Sequence, residues 1–524
     1  MSDSLRFEDL EAEFGALRDA FGRLVVARHR GEDVVALARA YARRRMSFAT
    51  RFASADDGPS AGVEQAGLAS IRSTLAWMDE FEPVDESGAG ASGATGATGA
   101  IAPGEAASAD LRRQTVEAYG AAAAAIRVGD QVIDRLTALG RLATEPDPAR
   151  RRAIFEALAP VWRAVDGDGA DGPSPYRELL RSSAATWARD GSPVEAAATA
   201  LGMAPGSLEP ALRAILAEWR AVLEPGPLEP WDYRYVVGAM ERRLGSLVPR
   251  ERMRAINDAH LASLGADPAA LGIHYDVEPR PGRPLIPVAF TISEDVARRA
   301  ADGSWRAARP WVFATYAEGG LGNLEELVHE SGHALHYAAI RARPAFFEPL
   351  VEAGGLVEGI ADMLGWDVHE PAFQDRHLGA SCDRRDSRLG RYGGVMLDVC
   401  WALFEIELHR NPGRRPNDAW AEITGAGLGI VPHPDWSWWA VRGQLVEAPG
   451  YMANYALAAI VAAALRARIR AVRGEWQGGD PGWFAFVSEH LLRFGADRSP
   501  AEVLESFLGR TLDVDPLISD LTTS

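Results

Sequence analysis

The segment from Leu324 to Tyr337 constrains the fold of this chain more than any other, because it combines helix-forming residues with two histidines four positions apart. It reads Leu-Glu-Glu-Leu-Val-His-Glu-Ser-Gly-His-Ala-Leu-His-Tyr. On an α-helix, residues i and i+4 share one face, so His329 and His333 can direct two imidazole nitrogens at one zinc ion. Glu330 flanks the same site and can accept a proton from water activated there. The segment predicts a zinc-binding helix with a base; an ordinary helix that contains two histidines is the alternative.

The overall composition is that of a globular protein and argues against several classes of function. The 524 residues are 47% hydrophobic and 24% charged, with a formal net charge of −18. Such a charge disfavours a nucleic-acid-binding protein, which usually presents a basic surface. No basic region followed by an apolar run begins the sequence, and no apolar run reaches the roughly 18 residues of a membrane helix, so we expect neither a signal peptide nor a membrane partner. The two cysteines, Cys382 and Cys400, are expected to be reduced thiols in a cytoplasmic protein.

The first half of the chain is predicted to be helical. Apolar residues recur at spacings of three and four from residue 5 to about 80 and again between 110 and 270. One of the predicted helices runs without interruption from Leu111 to Leu142, and no strand is predicted in this half. Residues 86–109 are rich in Gly, Ala, Ser and Thr, which predicts a low-complexity flexible loop. We assign residues 1–270 to a helical N-terminal lobe.

The character of the sequence changes near residue 271, where β-branched and aromatic residues precede the H-E-x-x-H segment. These stretches predict a small sheet next to the zinc helix; they are 273–278, 286–292 and 311–316. We interpret 311–316 as an edge strand that holds an extended peptide, with Ala314 and Tyr316 as substrate-binding residues. A sheet without such a role is the alternative.

The zinc helix itself is expected to begin at a capping residue, and Asn323 is the candidate. Helical patterns resume after residue 350, and the last predicted helix is Pro500–Leu508. Residues 271–524 therefore form the predicted zinc catalytic lobe.

A catalytic zinc site needs a third protein ligand, and the sequence offers a carboxylate. Glu358 lies in the apolar stretch Gly-Gly-Leu-Val-Glu-Gly-Ile-Ala-Asp-Met-Leu, where its burial is costly unless it is paired or bound to metal. Asp362 follows at i+4 and can accept a hydrogen bond from a ligand histidine, which fixes the tautomer of that ring. The alternative is that both acids lie on a solvated face. His336, one turn beyond His333, is expected to be a packed or supporting group.

These motifs resemble those of the thimet oligopeptidase and oligoendopeptidase F family, zinc metallopeptidases of the gluzincin type. Residues 329–336 match the segment H-E-[FLS]-G-H-A-L-H, and Glu358 follows His329 by 29 residues, close to the spacing of the family's glutamate ligand. The resemblance implies one zinc ion per chain, held by His329, His333 and Glu358. Residues 358–362 also resemble the H-E-A-I-G-D segment of the angiotensin-converting-enzyme family, in which the aspartate supports a zinc histidine, and this implies the same role for Asp362.

A third match begins at Ala448. The sequence Ala-Pro-Gly-Tyr-Met-Ala-Asn-Tyr-Ala resembles the P-F-Y-x-x-x-Y-A segment of the oligoendopeptidases. The resemblance implies that Tyr455 stabilises the oxyanion and that Tyr451 binds substrate; without it, two tyrosines at i and i+4 would be interpreted as core. This chain departs from the family in two places.

The first departure is a histidine that the family has shortly before these tyrosines. No histidine stands there, and Gln444 and Arg442 are the candidates to replace it. The second is a further family tyrosine, whose position is taken by Ala458. Part of the transition-state stabilisation is therefore expected to be missing or supplied by other side chains.

The resemblance implies a mainly α fold, in the form of an elongated helical ellipsoid with a deep central channel and a small β-sheet beside the zinc helix. Such a channel admits short peptides, so the predicted function is zinc-dependent hydrolysis of peptide bonds in short peptides by a monomer or homodimer. Alternatives that share the metal site are an exopeptidase of the carboxypeptidase or dipeptidyl type and a hydrolase dedicated to one biosynthetic product. A zinc-stabilised binding protein without catalysis is disfavoured by Glu330, because such a protein needs no base.

Overall fold

The computed structural model describes residues 6–56, 63–81, 103–167, 172–223, 226–281, 286, 288–300, 302–349 and 354–522. Helices dominate these residues and the strands form only small sheets, so the predicted mainly α fold is confirmed. None of the helices in these ranges combines the length and the apolar character needed to cross a membrane.

The first half of the chain is a succession of helices with a short hairpin between the fourth and the fifth. In chain order its elements are α1 (Phe7–His29), α2 (Val35–Asp56), α3 (Val63–Phe81), α4 (Pro103–Ala124), β1 (Ile126–Val128), β2 (Gln131–Ile133), α5 (Arg135–Thr144), α6 (Pro148–Glu156), α7 (Ala159–Asp166), α8 (Pro175–Asp190), α9 (Pro193–Ala200), α10 (Leu208–Val222), α11 (Tyr233–Val237), α12 (Ala239–Leu244) and α13 (Arg250–Ser263).

The second half begins with strands and then returns to helices. Its elements are β3 (His274–Asp276), β4 (Phe290–Ser293), β5 (Arg298–Arg299), β6 (Trp305–Arg306), β7 (Pro310–Phe313), α14 (Leu321–Ala339), α15 (Gly354–Gly365), α16 (Pro371–His377), α17 (Arg384–Arg410), α18 (Pro416–Leu428), α19 (Gln444–Glu447), α20 (Met452–Arg473), α21 (Trp483–His490), α22 (Pro500–Leu508) and α23 (Asp515–Thr522).

The hairpin formed by β1 and β2 contradicts the predicted continuous helix from Leu111 to Leu142. The two strands pair antiparallel, with Val128 opposite Gln131. Gly129 occupies the turn at φ 60°, a conformation that glycine adopts readily and that suits a two-residue hairpin turn. The Gly-Asp dipeptide between short apolar stretches was the available signal. Of the predicted loop 86–109, residues 86–102 lie outside the described residues, and 103–109 belong to α4.

Two compact units make up the chain, and each is discontinuous in sequence. The first contains Met1–Ala97, Val248–Val368 and Arg468–Thr511, and the second contains Thr98–Leu247, His369–Ala467 and Leu512–Ser524. The expected division at residue 270 does not coincide with these boundaries. The proposal that residues 1–270 and 271–524 form separate lobes stays a prediction.

In the first unit, three strands form a sheet of order β3-β7-β4, with β7 parallel to β3 and antiparallel to β4. The interpretation of 311–316 as an edge strand is therefore wrong, because β7 is paired on both sides. The backbone N–H groups of Ala314 and Tyr316 donate to the carbonyl oxygens of Asp276 and Val277 at 3.2 and 3.1 Å. These N–H groups are consequently not free to pair with a peptide.

Helix α1 packs closely on the end of this sheet. A Cβ atom added to Gly22 would lie 2.4 Å from the carbonyl oxygen of Glu294, so only glycine permits this approach. The buried guanidinium of Arg18 donates to the carbonyl oxygen of Ser293 at 3.0 Å and pairs with Glu348 at 3.0 Å. The aromatic and aliphatic side chains of α1 thereby join those of the sheet in one buried cluster.

The second unit has an aromatic core built around α17 and α18. The rings of Trp401 and Trp420 stack at 5.0 Å, and Phe404 lies 5.1 Å from Trp439. Cys400 is buried on α17. Both Cys400 and Cys382 are free thiols. This agrees with the expected reduced cysteines.

Candidate metal centre

The zinc-motif helix α14 begins in a glycine turn rather than at the expected cap. Gly320 precedes the helix at φ 110° and donates to the carbonyl oxygen of Val248 at 2.9 Å. A Cβ added to Gly319 would lie 2.0 Å from the same oxygen. The prediction that Asn323 caps the helix is wrong: it lies inside the first turn, and its Nδ2 donates to the carbonyl oxygens of Glu318 and Gly319 at 3.1 and 3.2 Å. The glycines let the helix start three residues earlier, at Leu321, and the Asn323 side chain stabilises the preceding turn instead.

Small residues bring α14 and α15 into close contact. A Cβ added to Gly332 would lie 2.8 Å from the Cα of Ala361, and one added to Gly365 would lie 3.2 Å from the Cβ of His329. Larger side chains at these positions would push the helices apart. The close crossing therefore places Glu358 of α15 within reach of the histidines of α14.

The structure brings the three expected ligands together. Nε2 of His329 lies 3.3 Å from Oε2 of Glu358, and Nε2 of His333 lies 3.7 Å from the same oxygen. One ligand atom from each residue falls within 4.8 Å of the others. A tetrahedral zinc ion with bonds of about 2.0–2.1 Å separates its ligand atoms by about 3.4 Å, so this donor set suits zinc.

Glu358 does not lie on a solvated face, since its side chain is 21% exposed. Burial raises the pKa of this carboxyl, but hydrogen bonding to His329 and His333 outweighs burial and holds the pKa well below its usual range. The carboxylate is thus ionised, as a metal ligand must be.

Asp362 orients the first histidine. Its Oδ1 lies 2.8 Å from Nδ1 of His329, which leaves Nε2 of that ring facing Glu358. Burial lowers the pKa of His329, but the hydrogen bonds to Asp362 and Glu358 outweigh it and raise the pKa well above its usual value. His333 differs, because its buried Nδ1 has no hydrogen-bond partner among the described residues. Among the described residues, the ring of His329 therefore has a carboxylate bonded to its Nδ1, whereas the ring of His333 does not.

The expected base is held by a residue that sequence reasoning missed. Glu330 is buried, and its Oε2 accepts a hydrogen bond from Oγ1 of Thr291 at 2.7 Å. The same hydroxyl lies 3.0 Å from the backbone carbonyl of Glu330. Thr291 belongs to β4, whose position against α14 depends on the tertiary structure. Nothing in its sequence context marks it, so no motif could have identified it.

Tyr316 lies close to the base rather than on an exposed strand. Its side chain is buried, and its pKa is raised far above the usual value, first by burial and then by the charges of Glu326 and Glu330. Ala314 is buried as well. The assignment of Ala314 and Tyr316 as substrate-binding residues stays a prediction. Their backbone N–H groups are already bonded, so any contact with substrate would have to use other atoms of these residues.

His336 is buried and packs as expected. Burial and the charge of His333 lower its pKa to about 3, so the ring is neutral at physiological pH. It faces a cavity of about 250 Å³ whose walls include Phe346, Leu356 and Phe494.

The two expected active-site tyrosines lie at the start of α20, in the second unit. Their rings are 5.5 Å apart at 79°. Tyr451 and Tyr455 are partly exposed, whereas Met452, Ala453 and Ala456 are fully buried. The rings therefore lie at the border of the core and not within it, which is what a role in binding requires.

Arg442 is the candidate that lies beside these tyrosines. Its guanidinium carbon is 5.7 Å from the ring centroid of Tyr455, and it donates to Asp398 at 2.5 Å. Ala458, which stands where the family has another tyrosine, is buried. Arg442 thus occupies surroundings from which it can influence the Tyr455 phenol.

Solved structures that share the fold of the chain over nearly its whole length include two carboxypeptidases and an oligoendopeptidase F. Metallocarboxypeptidase 1 of Trypanosoma cruzi matches with a TM-score of 0.53 and 15% identity, covering 99% of both chains. The M32 carboxypeptidase of Deinococcus radiodurans R1 has a TM-score of 0.54 and 15% identity, covering 98% of this chain and 97% of its own. An oligoendopeptidase F of Bacillus anthracis str. Ames has a TM-score of 0.53 and 14% identity, covering 100% and 96%.

No protein-family model and no curated protein matches the sequence. At 14–15% identity, the likeness to the solved structures establishes the fold. The expected resemblance to oligoendopeptidase F is confirmed in this sense, and it extends to the M32 carboxypeptidases.

Proposed function

We propose that this chain is a zinc-dependent peptidase that cleaves peptide bonds within short peptides. The observation that carries the proposal is the cluster of His329, His333 and Glu358 beside the buried carboxylate of Glu330. Three protein ligands leave a coordination position for water or substrate, and an adjacent base suits hydrolysis. A purely structural zinc site would need neither feature.

The geometry of the cluster supports the roles that we propose for its side chains. His329, His333 and Glu358 would hold the zinc ion, which when bound lowers the pKa of a water ligand toward about 7 and polarises a substrate carbonyl. Glu330 accepts the proton of the attacking water and later delivers it to the leaving amine. The hydroxyl of Thr291, at 2.7 Å, holds this carboxylate in one orientation.

Strand β4 is the better candidate for pairing with a peptide. Glu294 donates to the carbonyl of Arg309 at 2.9 Å, and from this bond the antiparallel alternation directs the backbone groups of Thr291 away from β7. In the described chain, β4 pairs with no other strand on that side. A peptide bound along this edge would lie beside Glu330, because the side chain of Thr291 touches that residue.

The edge is short because α1 covers one end of it. Arg18 bonds to the carbonyl of Ser293, so pairing is limited to the residues that precede Ser293. A short binding edge suits short peptides, and the channel implied by the sequence resemblance stays a prediction.

Tyr455 is proposed to donate a hydrogen bond to the negative charge that develops on the substrate carbonyl oxygen. One well-placed donor of this kind contributes about 3 kcal/mol. Arg442, whose guanidinium lies 5.7 Å from the Tyr455 ring, is proposed to take the place of the missing histidine. Tyr451 is proposed to contact the substrate.

A carboxypeptidase is the second candidate, because the similar structures include proteins named carboxypeptidases. The two activities differ in whether the substrate's C-terminal carboxylate is required. They share the metal site and the base, so the choice of substrate separates them.

Peptide cleavage tests the proposal. Peptides of about ten residues, each with a free and an amidated C-terminus, are digested and the products identified by mass spectrometry. An oligoendopeptidase cuts both forms at internal bonds, whereas a carboxypeptidase removes residues stepwise from the free form alone. Cleavage should stop with a chelator and return with zinc. Stable peptides in every arm, with zinc bound, would contradict the proposed function.

A further inference from the structure

The start of helix α20 is held by a carboxylate from another helix. Glu405 lies on α17, and its Oε1 accepts a hydrogen bond from the backbone N–H of Gly450 at 2.6 Å. Its Oε2 accepts from the N–H of Met452 at 3.1 Å. Met452 is the first residue of α20, and Tyr451 stands between the two donors. One side chain therefore spans the turn that contains Tyr451 and that precedes Tyr455 by one helical turn.

The interaction supplies what the helix terminus lacks. The first N–H groups of a helix have no partner within the helix, and negative charge is favoured there by the helix dipole. Here the partner comes from 45 residues upstream of Gly450. The position of the terminus is thereby tied to α17 rather than to its own neighbouring sequence.

The same turn is confined from its other side. Gly450 has φ 93°, and an added Cβ would lie 2.9 Å from the ring of Trp187 and 3.1 Å from Pro193. The backbone therefore has little room to move away from these two side chains. Glu405 and this contact together leave one position for the turn.

The carboxyl is costly to keep in this place. Glu405 is 1% exposed, and burial raises its pKa to about 8 although the two backbone donors act against it. The charge of Glu405 helps to raise the pKa of the buried Tyr176, after burial itself. Nδ1 of His409 lies 2.8 Å from the backbone carbonyl oxygen of Glu405. An apolar side chain would avoid this cost but would leave the N–H groups of Gly450 and Met452 unbonded.

We propose that Glu405 is a positioning residue that fixes the N-terminal turn of α20 and thereby aims Tyr451 and Tyr455. The inference rests on the proposed function of these tyrosines. Glu405 touches no substrate in this scheme and acts only through the turn that it holds.

The test combines Glu405→Gln with Tyr455→Phe and the double variant. The assays are run above pH 8, where Glu405, whose pKa burial raises to about 8, is a carboxylate with two acceptor oxygens. Gln has the size of Glu but only one acceptor oxygen, so under these conditions one of the two N–H bonds is lost. We expect E405Q to lower kcat by roughly tenfold, because the displaced Tyr455 donor weakens the transition state, and to raise KM, because the displaced Tyr451 binds substrate less well. In the Y455F background E405Q should have little further effect on kcat, because both changes act on kcat through the same phenol. Unchanged kcat in E405Q, or a full effect in both backgrounds, would overturn the inference.

Asp166→Asn is the matched control for stability. Asp166 is also a buried carboxylate of the second unit, and it accepts from Ser174 at 2.8 Å and Ser437 at 2.5 Å. D166N should lower the melting temperature but leave kcat unchanged. If E405Q does not fold by circular dichroism, E405D, which keeps the charge with a shorter reach, replaces it in the same cycle.

Hydrogen exchange separates this inference from the proposed function. The amides of Gly450 and Met452 should exchange faster in E405Q than in the wild type, and D166N should not change them. Faster exchange in a protein that hydrolyses no peptide would place the fault with the proposed function. Unchanged exchange would refute the positioning role whatever the activity, and so would faster exchange with normal kcat.

Discussion

The metal centre and the N-terminal turn of α20, the tyrosine turn that carries Tyr451 and leads into Tyr455, both use side chains four residues apart, but they are held in different ways. His329 and His333 lie within α14, and the ligand from α15 reaches them because Gly332 and Ala361 allow the helices to touch. Tyr451 and Tyr455 lie at a helix end, whose N–H groups are bonded by Glu405 from α17. A motif in mid-helix therefore carries its own geometry, whereas a motif at a helix end takes its geometry from a distant partner.

The largest effect is expected from Glu330→Gln, which would show whether the metal centre is catalytic. The variant keeps the size of the side chain but cannot accept the proton, so hydrolysis should fall by at least about 10³-fold while zinc content stays the same. Steady-state assays with metal analysis measure both quantities, and Glu318→Gln, at an exposed position just before α14, is the control. Activity within tenfold of the wild type would contradict the role of Glu330.

Removal of the third ligand is expected to act on metal rather than on folding. Glu358→Ala should weaken zinc binding by about 10²-fold or more, because two imidazoles remain and the charge of the site changes. Competition with a chromophoric chelator measures the affinity. Met363→Ala removes a buried apolar side chain from the same helix and should cost stability with zinc affinity intact. Equal zinc affinity in E358A and the wild type would remove Glu358 from the ligand set.

The pH dependence of stability tests the environment of Glu405 at the tyrosine turn. Burial raises its pKa from 4.5 to about 8, so between these values the folded chain binds more protons than the unfolded chain. The contribution of Glu405 to the free energy of unfolding should therefore be largest below about pH 4.5 and should fall as pH rises to about 8. Urea unfolding of wild type and E405Q isolates this contribution, since the variant lacks the titration. Parallel curves for the two proteins would show that Glu405 does not titrate in this range.

The smallest effect is expected from Thr291→Val. Thr291 lies on β4, remote in sequence from the metal centre, and its hydroxyl bonds to the Glu330 carboxylate. Loss of the hydroxyl frees the Glu330 carboxylate, and kcat should fall by about tenfold with zinc content unchanged. Thr74→Val is the matched control, because the buried Thr74 hydroxyl of the same unit donates within its own helix to Ser70. Thr291→Ser should restore activity; a T291V enzyme as active as T74V would show that the hydroxyl is dispensable.

Where sequence reasoning succeeded, the information was local. The face shared by His329 and His333 and the helix that carries Glu358 follow from helical periodicity. The contact between Asp362 and His329, at 2.8 Å, was also expected, because its partner helix could be identified from the same motif comparison. The site therefore needed a single helix-to-helix approach to assemble.

Where it failed, a competing local or tertiary effect decided the outcome. Gly320, not Asn323, occupies the cap position of α14, and Gly129 allows a hairpin turn where a continuous helix was predicted. The assumption that 311–316 forms an edge depended on strand order, and strand order is not encoded in the alternation of any one strand. Thr291 and Glu405 carried no signal at all in sequence.

The sequence by itself determined the helical character of the chain, the common face of the two histidines and the presence of a carboxylate at a suitable spacing. These properties depend on periodicity and residue type, which belong to each segment alone. The tertiary structure alone decided that β4 and not β7 forms the edge beside the base, that Thr291 holds Glu330, and that Glu405 anchors the tyrosine turn. Each of these contacts joins segments remote in sequence, and such contacts form only when packing of the whole unit brings buried donors and acceptors within hydrogen-bonding distance.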